Sequence, residues 1–424
     1  MQKITSYMAK VVNSSFVKNL SITFMENIVT KVLGFLIILI LVRNLGPDNY
    51  GIYSFIFINI LMFSQLFDFG MENTAIRFSN RDKEKQNSIF GLYFLIKLSI
   101  ISLVIFTLVL FGQTLLIKMH KPELIKFIPV FIIGFLGESI FFVNDTYLQC
   151  VQKFKLRAFI NITRYLTVVA FATTMYLFKL ISLKYITFIF IIPLFFVLFF
   201  IPRYYLFIKE FLTNKLSKNL VLELFHYEKW MLVLSIGNSL MGRIDIYMLS
   251  IWVSYTQIGI YSAAFNLLSI ISFLPAVLGK VMLPKMAETK IEKLFDLTLS
   301  ITKPILGLSF LLLFIIPLFP YIVPLLFGHK YDDSILIVQI LSISTLIGFS
   351  ILPIEQSMYP LGKPKVIVLF RYIQLAVNIL INIYTIPKFG IVAAASSALV
   401  TRLLSSLLLF IYFMKQKSVY TSKD

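Results

Sequence analysis

The segment IFGLYFLIKLSIISLVIFTLVLF, Ile89 to Phe111, holds 23 residues and a single charge, Lys97. A hydrocarbon layer about 30 Å thick takes about 20 helical residues to cross, so the length is that of a membrane helix. The segment is apolar on every side, whereas a transmembrane β-strand would alternate polar and apolar over about ten residues. Tyr185 to Phe200 has the same character, and comparable stretches recur from Ser21 almost to the end of the chain. Lipid cannot satisfy exposed backbone groups, so these stretches are read as helices. The full composition agrees: 424 residues, 58% hydrophobic, 14% charged, mean hydropathy +0.88. Such a chain lies far from the range of a water-soluble domain.

The expected fold is therefore an all-α polytopic membrane protein. Twelve spans are predicted at 21–42, 50–69, 89–111, 127–150, 158–180, 185–208, 229–252, 258–283, 300–327, 334–357, 365–386 and 389–414. With both termini assigned to the cytoplasm, Lys and Arg in the inside segments outnumber those in the outside loops about three to one. Lys3, Lys10 and Lys18 precede the first span without a small-residue cleavage site, which predicts a retained signal anchor. The +19 formal charge belongs to these short loops and is not a nucleic-acid footprint. Two amphipathic segments, Met71 to Ser88 and Lys285 to Ser300, are expected along the anionic inner surface.

Chemistry of other kinds finds no foothold. One cysteine, Cys150, excludes an intrachain disulfide, and His120, His226 and His329 lack metal-ligand spacing. The nearest approach to a phosphate loop, Gly362-Lys363-Pro364, lacks the upstream glycine and the following Ser or Thr, so direct ATP use is not expected. No cofactor or metal is indicated, and the chain reads as a carrier rather than an enzyme.

An internal repeat organises the spans. Gly51-Ile52-Tyr53-Ser54 returns as Gly259-Ile260-Tyr261-Ser262 at an offset of 208, and Lys153-x-Lys155 returns as Lys363-x-Lys365 at 210. Six spans per copy is an even number, so both copies share one orientation and a pseudo-two-fold axis runs along the membrane normal. The expected domains are a six-helix lobe at 1–208, a polar and basic cytoplasmic linker at 209–228, and a second six-helix lobe at 229–424.

Ten ionisable residues fall well inside spans: Glu26, Lys31, Lys97, Glu138, Asp145, Arg164, Arg243, Asp245, Arg371 and Arg402. Facing lipid, each would cost about 3 kcal/mol, so they must face inward. In the first span Thr23, Glu26, Asn27, Thr30, Lys31 and Gly34 form one stripe, and in the seventh Ser235, Asn238, Gly242 and Asp245 form another beside Arg243. Arg371, Gln374, Asn378 and Thr385 align on the eleventh. A polar central cavity between lobes would contain them, with Glu26, Asn27, Lys31, Asn238, Arg243, Asp245 and Arg371 as candidate substrate contacts. Structural ion pairs, Glu26 with Lys31 or Arg243 with Asp245, are the bland alternative. Glu138 and Asp145, seven residues apart on the fourth span, are candidates for ion coupling, with simple neutralisation of Arg164 in the next helix as the plainer alternative.

The stretch Arg43-Asn44-Leu45-Gly46-Pro47-Asp48-Asn49-Tyr50-Gly51-Ile52-Tyr53 resembles the hairpin between the first two helices of the polysaccharide biosynthesis family, the Wzx-type flippases. Asp68-Phe69-Gly70, Leu325 to Tyr331, Gly362 to Lys365 and Gly390 to Ala395 follow in the same order. The family lies in the multidrug/oligosaccharidyl-lipid/polysaccharide exporter superfamily. The resemblance implies a V-shaped pair of lobes, a cavity lined by spans 1, 2, 7 and 8, and alternating access. It also implies residence in a bacterial inner membrane, and movement of an undecaprenyl-diphosphate-linked oligosaccharide repeat unit to the outer leaflet for O-antigen, capsule or exopolysaccharide assembly. Membrane lipids and a polysaccharide polymerase machinery would be its partners. The alternatives are a small-molecule or drug antiporter of the same superfamily and, in another class, a glycan polymerase or ligase. The longest outside loop, 112–126, is short for an enzyme of the latter kind.

Overall fold

The computed structural model describes residues 15–421 apart from 120, 214, 215, 242 and 272. The described residues form helices and no strand. α1 (Ser15–Leu66) is a single helical run broken at Gly46, whose φ of 71° only glycine adopts without strain, and Pro47 follows to start the second arm. α15 (Pro364–Thr421) breaks in the same way at Gly390, three residues after Pro387. Each of these two runs carries two predicted spans. Between them lie α2 (Met71–Arg81), α3 (Gln86–Lys118), α4 (Ile128–Cys150), α5 (Phe154–Leu177), α6 (Leu183–Leu198) and α7 (Ile201–Thr213). They are followed by α8 (Lys218–Met241), α9 (Ile244–Trp252), α10 (Tyr255–Ile271), α11 (Phe273–Ala287), α12 (Ile291–Leu313), α13 (Phe319–Phe327) and α14 (Ser334–Ser357).

Among the described residues seven helical segments are long and apolar enough to cross a membrane, or eight when α6 and α7, bent by 59°, are joined as one broken span. The protein is thus an all-helical, multi-pass membrane protein. The span expected at 229–252 is built from two helices, α8 and α9, while that expected at 258–283 is described as α10 and α11 on either side of residue 272, which lies outside the described residues. At the joint of α8 and α9 Arg243 leaves the helical region (φ −147°, ψ 0°), so Asp245 opens a new helix instead of continuing the stripe of α8. The amphipathic expectation divides. α2 is a short surface helix whose buried residues Met71, Thr74, Ala75, Phe78 and Ser79 recur at helical spacing. Lys285 to Ser300 is not such a helix: α11 ends at Ala287 and the polar residues Glu292, Lys293 and Asp296 are the first turns of the long α12.

By packing, the chain forms two compact units. The first takes the chain up to Ile40 with Ile56–Gly242; the second takes Leu41–Phe55 with Arg243–Asp424. The first unit has a core of Phe90, Tyr93, Phe94, Tyr147, Tyr204 and Phe207 from α3, α4 and α7. α8 starts at Lys218, within the expected linker, and sets Leu220 and Leu224 against Phe78 of α2 and Ile89 of α3. Exposed Arg81 and Glu223 pair above that contact. The second unit centres on Met286, Leu294, Phe295, Phe349, Met358 and Phe413.

The tip of the first hairpin belongs to this second unit because it is tied there. Arg43 donates from Nε to the Leu326 carbonyl at 2.7 Å and from Nη2 to the Leu325 carbonyl. The Tyr331 hydroxyl donates to the Val42 carbonyl at 3.1 Å, and Asn266 donates to the Tyr50 hydroxyl at 2.9 Å. The two glycines of the repeated tetrapeptide meet face to face. A Cβ on Gly51 would lie 1.8 Å from the Tyr255 carbonyl oxygen, and one on Gly259 would lie 2.0 Å from that of Pro47.

Candidate functional site

The charges inside the first unit are organised by α5. Its Arg157, Asn161 and Tyr165 recur every fourth residue and meet the polar stripe of α1. Arg157 donates from Nη1 to Glu26 at 3.1 Å and from Nε to Asp145 at 2.7 Å. Asn161 donates to the same two carboxylates at 2.6 and 3.1 Å, and Gln149 donates to Asp145 at 2.9 Å. Gly34, two turns beyond Glu26, faces Tyr165. Glu26 is only 5% exposed. A carboxylate buried to that extent must be paired, and the pairing goes to α5 rather than to Lys31. Asn27 and Thr30 turn back onto their own helix, to the carbonyls of Thr23 and Glu26, while Lys31 is exposed on the same arm.

Glu138 has a separate partner. Arg164 reaches it with both terminal nitrogens, at 2.8 and 3.2 Å, and lies over the Phe141 ring. The two carboxylates of α4 therefore do not share a site: each is held by its own arginine of α5. Lys97, 1% exposed, donates to Asp68 at 2.9 Å and to the Ser64 carbonyl at 3.1 Å, and the Tyr93 hydroxyl donates to Asp68 at 3.0 Å. The other oxygen of Asp68 accepts the Glu72 amide at 3.0 Å, so the Asp68-Phe69-Gly70 turn both neutralises a buried lysine and caps α2.

In the second unit Asp245, in the first turn of α9, accepts from Asn382 at 3.1 Å and from the Tyr261 hydroxyl at 3.4 Å. Asn382 also bonds Asn378, and Ser397 joins both. Among the described residues no cation pairs with Asp245. Its described neighbours are neutral hydrogen-bond donors, so among the described residues no fixed positive charge offsets its carboxylate. Arg371 pairs with Glu355. Glu355 lies 210 residues after Asp145 (355 − 145), so the repeat preserves an acidic position that takes an arginine from the following helix. Arg402 lies flat on Gly348, and its buried Nε has no hydrogen-bond partner. Arg243 is partly buried and, among the described residues, its guanidinium makes neither an ion pair nor a hydrogen bond. The side chain of Asn238 lies outside the described residues. Among the described side chains of this unit, three partly or fully buried arginines, Arg243, Arg371 and Arg402, accompany the carboxylates Asp245 and Glu355.

Sequence reasoning missed Arg157, Asn161 and Asn382. The first two sit at the start of α5, a stretch assigned partly to a loop. Asn382 continues the stripe of Asn378 by one turn and was within reach of the same helical phase.

The profile of the polysaccharide biosynthesis protein family matches residues 16–290. A putative O-antigen transporter of Shigella flexneri is 27% identical over 212 residues, 46% of this chain and 48% of that protein. An uncharacterized membrane protein of Methanocaldococcus jannaschii is 28% identical over 42% of this chain and 36% of its own length. A probable low-salt glycan biosynthesis flippase of Haloferax volcanii is 23% identical over 41% and 38%. The chain therefore spans less than half the length of each of these relatives. Among solved structures, lipid II flippase MurJ in an inward closed conformation superposes with a TM-score of 0.73 at 15% identity, over 92% of this chain and 87% of that one. An inward-facing multidrug resistance MATE transporter of the MOP superfamily gives 0.68 at 14%, over 92% and 96%. With a transporter fold shared by MurJ and MATE proteins, and a family profile that covers well over half its length, the chain belongs to the polysaccharide biosynthesis protein family.

Proposed function

We propose that this protein is a flippase that carries undecaprenyl-diphosphate-linked oligosaccharide repeat units from the inner to the outer leaflet of a bacterial cytoplasmic membrane, by alternating access, with both termini cytoplasmic. The observation that carries the reading is family membership over residues 16–290. The interior chemistry supports it: Arg243 has no carboxylate partner among the described residues, and a guanidinium that is only partly buried is suited to a diphosphate. Lys31, exposed on α1, is proposed as a second contact.

For ion coupling, Asp245 is a better candidate than Glu138 or Asp145. The latter two are each held by an arginine, whereas Asp245 meets only neutral donors. A small-molecule antiporter would share this fold, and the test separates the two. In a strain lacking the protein, lipid-linked repeat units should build up on the cytoplasmic leaflet while their synthesis continues and surface polysaccharide falls. Extraction of undecaprenyl-linked glycans checks this, and unchanged intermediates with intact surface polysaccharide would remove the assignment.

A further inference from the structure

A second site in the first unit lies apart from the charges described above. The bend of 59° between α6 and α7, at Phe199 and Phe200, opens a cavity of about 440 Å³ against α4 and α5. Pro202 accounts for the bend, since its ring cannot donate to the preceding turn. The walls are apolar and largely aromatic, with Tyr147, Phe159, Ile160, Phe196 and Phe199 among them, and Phe199 is 80% exposed. Two cations line the same cavity. Lys153 is the residue that caps the N-terminus of α5, and Arg203 lies in the first turn of α7 with its guanidinium 5.7 Å from the Tyr147 ring. Among the described residues neither one is ion-paired. No acidic residue lines the cavity.

An apolar cavity bordered by two unpaired cations at a helix start is complementary to a phosphate that carries a hydrocarbon chain. The lysines Lys153 and Lys155 also mark this end of the molecule as the one with basic loops, which by charge asymmetry faces the anionic leaflet. We infer that the α4–α5–α6–α7 cavity is a binding site for an anionic phospholipid of the inner leaflet, its phosphate held by Lys153 and Arg203 and one acyl chain laid among the phenylalanines.

Native mass spectrometry of the purified full-length chain, titrated with dioleoyl phosphatidylglycerol or dioleoyl phosphatidylcholine, tests the site. Phosphatidylglycerol should bind roughly 30-fold more tightly, the preference expected from two basic side chains near a phosphate. Lys153→Ala with Arg203→Ala should remove the preference, and Lys153→Arg with Arg203→Lys should keep it at an unchanged melting temperature. Thr163→Trp, which fills the cavity and leaves both charges in place, should lower phosphatidylglycerol occupancy at least tenfold. Equal binding of the two lipids would overturn the inference. So would undiminished binding by Thr163→Trp, which would mean surface charge alone, or tighter binding of undecaprenyl phosphate than of phosphatidylglycerol, which would assign the cavity to transported lipid.

Discussion

Glu72 shows how a single side chain outside the spans responds to the charges gathered behind it. Its carboxyl is pushed up to about 7, by burial first and then by the negative charges of Asp68 and Asp145, against the pull of Arg157 and Lys97. A carboxyl raised in the folded protein holds its proton more tightly there than in the unfolded chain. Folding therefore loses stability as pH climbs from the ordinary value of 4.5 through about 7. Above that range the loss is about 3 kcal/mol. Glu72→Gln should raise the melting temperature in detergent at pH 8 and converge on the parent near pH 4.5. An offset that is the same at both pH values would show that Glu72 acts through packing and not through its charge. At this scale the sequence was legible only in part. That buried charges face inward follows from the cost of exposing them to lipid. Which arginine meets which carboxylate depends on how neighbouring helices are rotated, and no periodicity within one helix contains that information. Glu26 was readable as inward; its tie to Arg157, 131 residues away, was not.

Among elements, the first hairpin has the most specific architecture. Arg43, Tyr50 and Gly51 stand out in the sequence as a motif, and each has a distinct mechanical duty. Arg43 closes the carbonyls at the end of α13, Tyr50 takes the Asn266 amide, and Gly51 allows two helix backbones to touch. The tetrapeptide repeat, legible as an offset of 208, turns out to be a contact as well: the copies pack through Gly51 and Gly259. Gly259→Ala must push the Pro47 carbonyl aside, and overpacking of that kind costs about 1–3 kcal/mol. Gly307 on α12 has open space where its Cβ would be, so Gly307→Ala should be stabilising by about 0.5–1 kcal/mol through backbone entropy. Thermal melts of the two variants in the same detergent check the pair, and a Gly259→Ala melt that coincides with the parent would refute the close contact. The breaks were less legible than the spans. Gly46-Pro47 announces its turn, but the joint at Arg243 carries no proline, and Arg243 and Asp245 read as charges on one continuous span.

For the whole molecule, composition and span length were sufficient for an all-helical membrane protein, and the ordered motifs pointed to the family that the profile over residues 16–290 establishes. The compact units divide at residues 242 and 243, with the hairpin tip 41–55 grouped in the second, a division that depends on long-range packing and leaves no local trace in the chain. The proposed cargo is the central claim, and its chemistry reduces to a diphosphate on a prenyl chain meeting the Arg243 guanidinium, which has no partner among the described residues. Reconstitution of the purified protein in proteoliposomes, loaded on one leaflet with a fluorescent undecaprenyl-diphosphate oligosaccharide, measures transfer directly. The parent should move the glycolipid, and Arg243→Ala, incorporated at equal abundance, should move it at least tenfold more slowly. Absence of transfer by the parent, together with uptake of small organic cations by the same vesicles, would contradict the account and place the protein among the small-molecule antiporters.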